Sequence, residues 1–412
     1  MYIYFNLGVH MEKIKLLFIG ITMRCGGSEK SFLSFVNCLD FDRFEVDLVL
    51  AKKDGLFMAQ LPKQINVIEM DKFGDHFLLS NKNAVSCLMN TFIKKNPFYA
   101  FDILPYFLKA VLCRKSWSDT GGRLWVHMMQ KLSPIEKKYD VAVAYWGDRT
   151  MFYMIDKVNA DKKITWLHFD YAHPKRDNEL YLKYFSRCDN IVNVSTAVDD
   201  ALKGELPELS EKCLVIENIN NPLLINQLAD AGEGFPDADY KGKRILTVGR
   251  IAEQKGYDFA VKAMSLLKKD GIDAKWYILG DGDEDYKNYI NSLIEENDVA
   301  DRFVFLGTTP NPYSYMKACD IYAQPSRFEG KPISVEEAKI LCKPMVVCNY
   351  LSAGEQLCNG KYGMICEMNG EGVYEGLKRM LTEPGLARSY REELEKHDFS
   401  NTAEIEKFYN II

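Results

Sequence analysis

The chain has 412 residues, enough for two domains at roughly 100–200 residues each. Hydrophobic residues make up 47% and charged residues 27%, which excludes a disordered chain and provides for a sizeable core. With 52 basic side chains against 58 acidic ones the net charge is −6, so no general basic face marks a nucleic-acid binder.

Residues 1–10 carry no basic leader, and Met11-Glu12-Lys13 opens an apolar run at 14–19 that is too short for a bilayer. That run reads as the first buried parallel strand. The ten residues before it read as an ornament or a mis-chosen start. Short apolar runs recur at 45–50, 65–69, 140–144, 163–167 and 190–194, separated by helix-length amphipathic segments. This alternation predicts a parallel sheet with helical crossovers. Residues 218–242 mix Asn, Pro, Gly and Asp and read as a linker, with the hinge at 221–242. The rhythm restarts at 244–248, 275–279, 302–306, 320–323 and 344–348. The expectation is therefore two α/β domains, 11–220 and 243–390, with a helical segment at 391–412 crossing back to the first. No stretch reaches ~18 apolar residues, so no spanning helix is expected.

The stretch 77–131 differs in kind. Over 81–131, Lys82, Lys94, Lys95, Lys109, Arg114, Lys115, Arg123 and Lys131 face only Asp102 and Asp119, a local charge of +6 among many aromatic residues. Such a segment suits an anionic membrane surface, or packs on its own domain with a solvated basic face. The 11 cysteines are scattered, odd in number and without a C-x-x-C pair. They fit free thiols in a reduced, cytoplasmic setting.

Three places carry chemistry. The first βα connection ends in Gly26-Gly27 before a helix, which lets backbone approach an anion closely or simply makes a tight turn. At the second, a strand ends at Gly249 and is followed by Arg250 and Lys255, a planar fork and a point charge suited to a diphosphate. By themselves they read rather as a solvated Arg and Lys. The third is Pro325-Ser-Arg-Phe-Glu329-Gly330-Lys331-Pro332-Ile333-Ser-Val-Glu-Glu337-Ala. Glu337 shares a helix face with Ser334, Ala338 and Leu341, whereas Glu336 points about 100° away. A carboxylate and free helix-start amides on one pocket suit a polyol joined to a phosphate.

Gly-Gly in the first loop, V-G-R-x-x-x-x-K-G, the turn Gly280-Asp281-Gly282 and the S-R-F-E-G-x-P…E-A block resemble, in this order, the retaining glycosyltransferases of family 4. The resemblance is specific over 244–366 and weaker over 11–217. It implies a GT-B fold, two Rossmann-like domains facing a cleft, and a hexosyltransferase using a nucleotide sugar, by prior a UDP-sugar. By position, Arg250 and Lys255 would neutralise the donor diphosphate, Glu329 would hold sugar hydroxyls and Glu337 the ribose. Gly26 and Gly27 would close on the phosphates, and Gly249, Gly330, Pro332 and Ile333 would complete the donor site. Lys331, where the family often has an apolar residue, would contact phosphate or sugar, or face water. His168, ending a first-domain strand, would stand near the transferred sugar. No cofactor or metal is expected, since Arg250, Lys255 and a helix terminus already supply positive charge, and Asp281, Asp283 and Asp285 fail the calcium-loop pattern at Tyr286 and Ser292. The acceptor would be a saccharide or lipid-linked saccharide in bacterial cell-surface polysaccharide assembly. Two rivals on the same architecture are a nucleotide-sugar epimerase and a non-catalytic partner subunit.

Overall fold

A computed structural model describes residues 12–24, 26–70, 105, 117–130 and 132–412. Most of the expected basic segment 77–131 lies outside these residues, as do positions 1–11. Within that segment the helix Trp117–Met129 is described, and its Arg123 is held by Asp177 and Glu179.

Among the described residues the first sheet has seven parallel strands. They are β1 (Ile14–Gly20), β2 (Phe44–Leu50), β3 (Asn66–Glu69), β4 (Ile135–Ala144), β5 (Val158–Leu167), β6 (Asn190–Asn193) and β7 (Cys213–Val215), in the order β3-β2-β1-β4-β5-β6-β7. The second sheet holds β8 (Lys243–Val248), β9 (Ala274–Leu279), β10 (Phe303–Gly307), β11 (Ile321–Gln324), β12 (Met345–Cys348) and β13 (Met364–Cys366), in the order β10-β9-β8-β11-β12-β13. Helices cover both faces, so the central strands are buried along their length. Leu16, Leu17, Phe18 and Ile19 are all fully inaccessible, which explains why β1 reads as a continuous apolar run without alternation. In each sheet the strand order reverses beside the first strand, between β1 and β4 and between β8 and β11. Open α/β sheets bind ligands at the carboxyl ends of the strands flanking such a reversal.

Several boundaries differ from the sequence expectation. β4 and β5 begin about five residues early, because their polar first halves, Ile135–Tyr139 and Val158–Lys162, still pair with each other. β7 and β13 are three-residue edge strands, too short to show a period. The segment expected as a linker contains the helix Pro222–Asp230. The Asn221 side chain accepts from the Leu224 N–H, and Pro222 opens the first turn. Ile225, Ala229 and Phe235 pack into the second domain's core.

The C-terminal segment is two helices. Leu386–Leu394 stays on the second domain, where Leu394 is buried. Glu404–Tyr409 inserts Ile405 and Phe408 into the first core, with Phe408 edge-on to Phe35 at 5.0 Å. Glu404 accepts from the Glu217 N–H, and the Tyr409 hydroxyl accepts from Asp40 N–H and meets the Cys38 carbonyl. The domains are thus tied by chain crossing at both 216–222 and 395–404, which leaves a cleft between the two reversal points.

Candidate active site

The cleft has a volume of about 360 Å³ and is lined by both domains. From the first come the Gly26-Gly27 turn and Lys30, then Trp146 after β4 and His168-Phe169 after β5. From the second come Gly249-Arg250 after β8, Lys255, and the loop Glu329–Ser334 with Glu337. Every residue singled out from the sequence as a donor or catalytic candidate lines this one cavity. They arrive there because each follows the carboxyl end of a parallel strand.

Glu329 is 7% exposed and follows β11 on a turn. Its Oε1 accepts from Lys255 Nζ at 2.6 Å, Ser326 Oγ at 2.6 Å and Gln324 Nε2 at 3.1 Å. Oε2 has only a long contact with Gln254 at 3.4 Å. One oxygen is therefore saturated by protein donors, and the other retains capacity for a ligand hydroxyl. Arg250 is exposed to the cleft, and no hydrogen bond or ion pair holds its guanidinium among the described residues. It is the unpartnered fork of the site.

The helix Ile333–Ile340 starts after Pro332 with no side-chain cap. The Val335 N–H bonds the Pro332 carbonyl, which leaves the Ile333 and Ser334 amides at the cavity near Arg250 and Lys255, where the helix dipole adds to the pull on an anion. Glu337 lies on the cavity face of this helix. Tyr313 donates to its Oε1 at 2.9 Å, and Lys30 of the first domain lies 2.5 Å from the same oxygen. Glu336 faces the other way, to Gln356 and Lys339.

Two glycines have a geometric reason. A Cβ at Gly330 would stand 2.5 Å from the His168 carbonyl oxygen, so this is where the two domains touch backbone to backbone. At Gly27 a Cβ would meet nothing within 4 Å, so the turn presents bare backbone to the cavity. Gly26 is backed by its own helix. The Glu29 carboxylate folds back beneath it, into the space a Cβ would need, and takes the Ser28 hydroxyl at 3.0 Å. Burial holds that carboxyl above its usual range.

Lys331 is not a free cation. Its side chain is 7% exposed, and its ammonium lies 2.8 Å from Glu217 and 3.7 Å from Glu355. Burial works against its charge, but Glu336, Glu217 and Glu355 outweigh it and hold the group above its usual value. Glu355 also takes the Ala197 N–H at 3.1 Å at the start of a first-domain helix. Lys331 thus bridges the domains at the wall of the cavity it lines, its ammonium held by carboxylates and not facing water. The acidic turn is equally structural. Asp281 pairs with Lys287, and Asp283 caps the helix Glu284–Glu296. No cluster of metal-ligating side chains occurs among the described residues.

His168 packs its ring on Tyr145 at 4.8 Å and parallel to Trp166 at 6.5 Å. Burial pushes its imidazole down to about 3, against an opposing hydrogen bond with the Tyr145 backbone. It is therefore neutral throughout the physiological range. Its Nε2 is buried without a hydrogen-bond partner, although other atoms of the residue line the cleft. A group whose folded value lies below its ordinary 6.5 is protonated first in the unfolded chain. Its contribution to stability is intact above about pH 6.5 and is lost as pH falls from there toward 3. The melting temperature of the wild type should therefore drop more steeply below pH 6.5 than that of His168→Gln. Parallel curves would show that the imidazole titrates normally.

Sequence reasoning missed Lys30, Tyr313, Trp146 and Asn218. Trp146 follows the carboxyl end of β4 at the reversal point, the same signal that singled out His168. Lys30 falls in the first turn after Gly26-Gly27. Nothing local marks Tyr313 or Asn218.

Residues 235–397 match the family model described as "Glycosyl transferases group 1". An uncharacterized glycosyltransferase of Haemophilus influenzae is 27% identical over 329 residues, 77% of this chain and 86% of that protein. A Campylobacter jejuni N-acetylgalactosamine-N,N'-diacetylbacillosaminyl-diphospho-undecaprenol 4-alpha-N-acetylgalactosaminyltransferase is 31% identical over 199 residues, 46% of this chain and 52% of that one. Among solved structures, Anabaena HepE in complex with UDP and glucose superposes with a TM-score of 0.68 at 14% identity, covering 96% of this chain and 98% of that one. That likeness, with the two parallel sheets, establishes the GT-B fold.

Proposed function

We propose that the chain is a group 1 glycosyltransferase that moves a hexose or N-acetylhexosamine from a UDP-sugar to a saccharide hydroxyl, retaining the anomeric configuration. The observation that carries this reading is the meeting of the two reversal points at one cleft, with an unpaired Arg250, Lys255 and an uncapped helix start beside two buried carboxylates. UDP is favoured by the ligand of the Anabaena neighbour. The name of the Campylobacter relative favours a lipid-diphosphate-linked saccharide as acceptor, in cell-surface polysaccharide assembly.

In this reading the β-phosphate is held by Arg250, Lys255 and the amides at Ile333-Ser334. The bond from the anomeric carbon to the phosphate oxygen breaks, and its electron pair stays on the phosphate. Donors already aimed at that developing charge are the largest catalytic contribution, since they need no rearrangement during the step. The acceptor oxygen bonds the anomeric carbon on the same face, and its proton passes to the departing phosphate. Glu329 Oε2 holds sugar hydroxyls, and His168 forms part of the wall beside the transferred sugar. Glu329 is a positioning group here: its Oε1 is already engaged by Lys255, Ser326 and Gln324.

Incubation of the chain with radiolabelled UDP-glucose, UDP-galactose and UDP-N-acetylglucosamine, with and without an undecaprenyl-diphosphate-linked saccharide, tests the reading. Label transferred to the acceptor supports it. Isomerised donor without acceptor would make the chain an epimerase, and binding without turnover would make it a partner subunit.

No helix among the described residues is long and apolar enough to cross a membrane. A lipid-linked acceptor then calls for docking at the inner face of the cell membrane, for which the basic residues of 81–131 are suited. Vesicles with anionic lipid should co-sediment the chain at low salt and release it at high salt. Absence of binding at low salt would remove this part of the reading.

A further inference from the structure

The ribose-side carboxylate of the second domain is already paired with a cation from the first. Lys30, in the first turn of the helix Gly27–Val36, places its Nζ 2.5 Å from Glu337 Oε1 and 4.2 Å from the centre of the Tyr313 ring. The two side chains are 18% and 3% exposed, so the pair is screened little by solvent. Both residues line the cleft, together with Gly27, Arg250 and Lys255. Tyr313 and Lys30 converge on one carboxylate oxygen, which leaves the other to accept from a diol.

We propose that Lys30 is a donor-positioning residue supplied by the first domain: by neutralising Glu337 across the cleft it lets one site accept both ribose hydroxyls and a diphosphate. The inference rests on the nucleotide-sugar reading of the cleft. Its physical core is a conflict between two requirements. A buried carboxylate is the right acceptor for a diol, yet it repels a diphosphate held a few ångströms away. Of the cleft's other ammonium and guanidinium groups, Lys255 divides its charge between Glu329 and the phosphates and Lys331 is held by Glu217, so only Arg250 is left wholly to the phosphates. Lys30 offsets Glu337 without occupying its second oxygen. Because the cation comes from the other domain, the donor site is electrostatically complete only when the domains meet.

Lys30→Met keeps an unbranched side chain of similar length beside Tyr313 and removes the charge. Titration calorimetry with UDP, and competition with uridine, separates the charge effect from a loss of shape. The expected result is UDP binding weaker by about tenfold or more, with uridine within about twofold, because hydroxyls still donate to a bare carboxylate. Lys30→Arg should recover most of the UDP affinity. In turnover, Lys30→Met should raise the donor KM more than it lowers kcat. Equal losses for UDP and uridine would reduce Lys30 to a structural strut and overturn the proposal. Unchanged or tighter UDP binding would also overturn it, the latter by showing that Lys30 merely fills the ribose position. Failure of the wild-type chain to bind UDP, GDP or ADP would instead strike the nucleotide-sugar reading itself.

Discussion

Arg250→Ala lowers transferase turnover by about 10²–10³-fold and leaves stability within about 0.5 kcal/mol. The two halves of this expectation have separate causes. Arg250 lies exposed in the cleft and no hydrogen bond or ion pair holds it among the described residues, so truncation breaks no direct contact and removes only a longer-range attraction to Glu29. On the proposed reading its planar fork faces the place where phosphate charge grows as the sugar departs, and a lost donor there is felt fully in the barrier. Lysine at this position should recover part of the rate, as a point charge without the bidentate geometry. Turnover assays paired with thermal melts check this directly. A variant that loses stability along with activity would mean that Arg250 has a structural partner.

Lys255→Ala should show the opposite pattern, with a loss in both quantities. Lys255 and Glu329 are 13% and 8% exposed and 2.6 Å apart. Removing one partner of a buried pair costs about 3–5 kcal/mol, because the remaining charge has no counterion. Ser326 and Gln324 still donate to Glu329 Oε1, which places the expected loss near the lower end, about 3 kcal/mol. The double variant Lys255→Met with Glu329→Gln should regain most of that stability while remaining inactive, since the pair is neutralised but both donor contacts are gone. Denaturant unfolding of the two singles and the double gives the coupling. Additive losses would show that the pair is not an energetic unit. Wild-type turnover in Glu329→Gln or Lys255→Ala would remove both residues from the site.

How far the fold and the site are legible in the sequence depends on the range of the interactions involved. β1 and β8 are legible because parallel strands buried on both faces become short apolar runs. Arg250, Lys255, Glu329 and Glu337 are legible because strand ends, a proline at a helix start and helical spacing are local. β7 and β13 are not, since three residues cannot establish a period. The helix Pro222–Asp230 is hidden by a composition typical of a linker, although Asn221-Pro222 is itself a helix-start signal. Lys331 shows the limit most clearly. In sequence it is a cation in a phosphate loop, and only the fold brings Glu217 and Glu355 to it from two domains. Lys30 is the converse, a helix residue without a motif that acquires its position from a carboxylate some 300 positions away.

Binding of a nucleoside diphosphate in this cleft, through the cations of the second domain, is tested most directly by titration calorimetry. UDP is titrated into the wild-type chain and into Arg250→Ala, with GDP and ADP as parallel probes. One saturable site in the wild type is predicted, weakened by about tenfold or more in the variant and declining with added salt. Binding of equal strength in both proteins, or no binding of any of the three to the wild type, would contradict it.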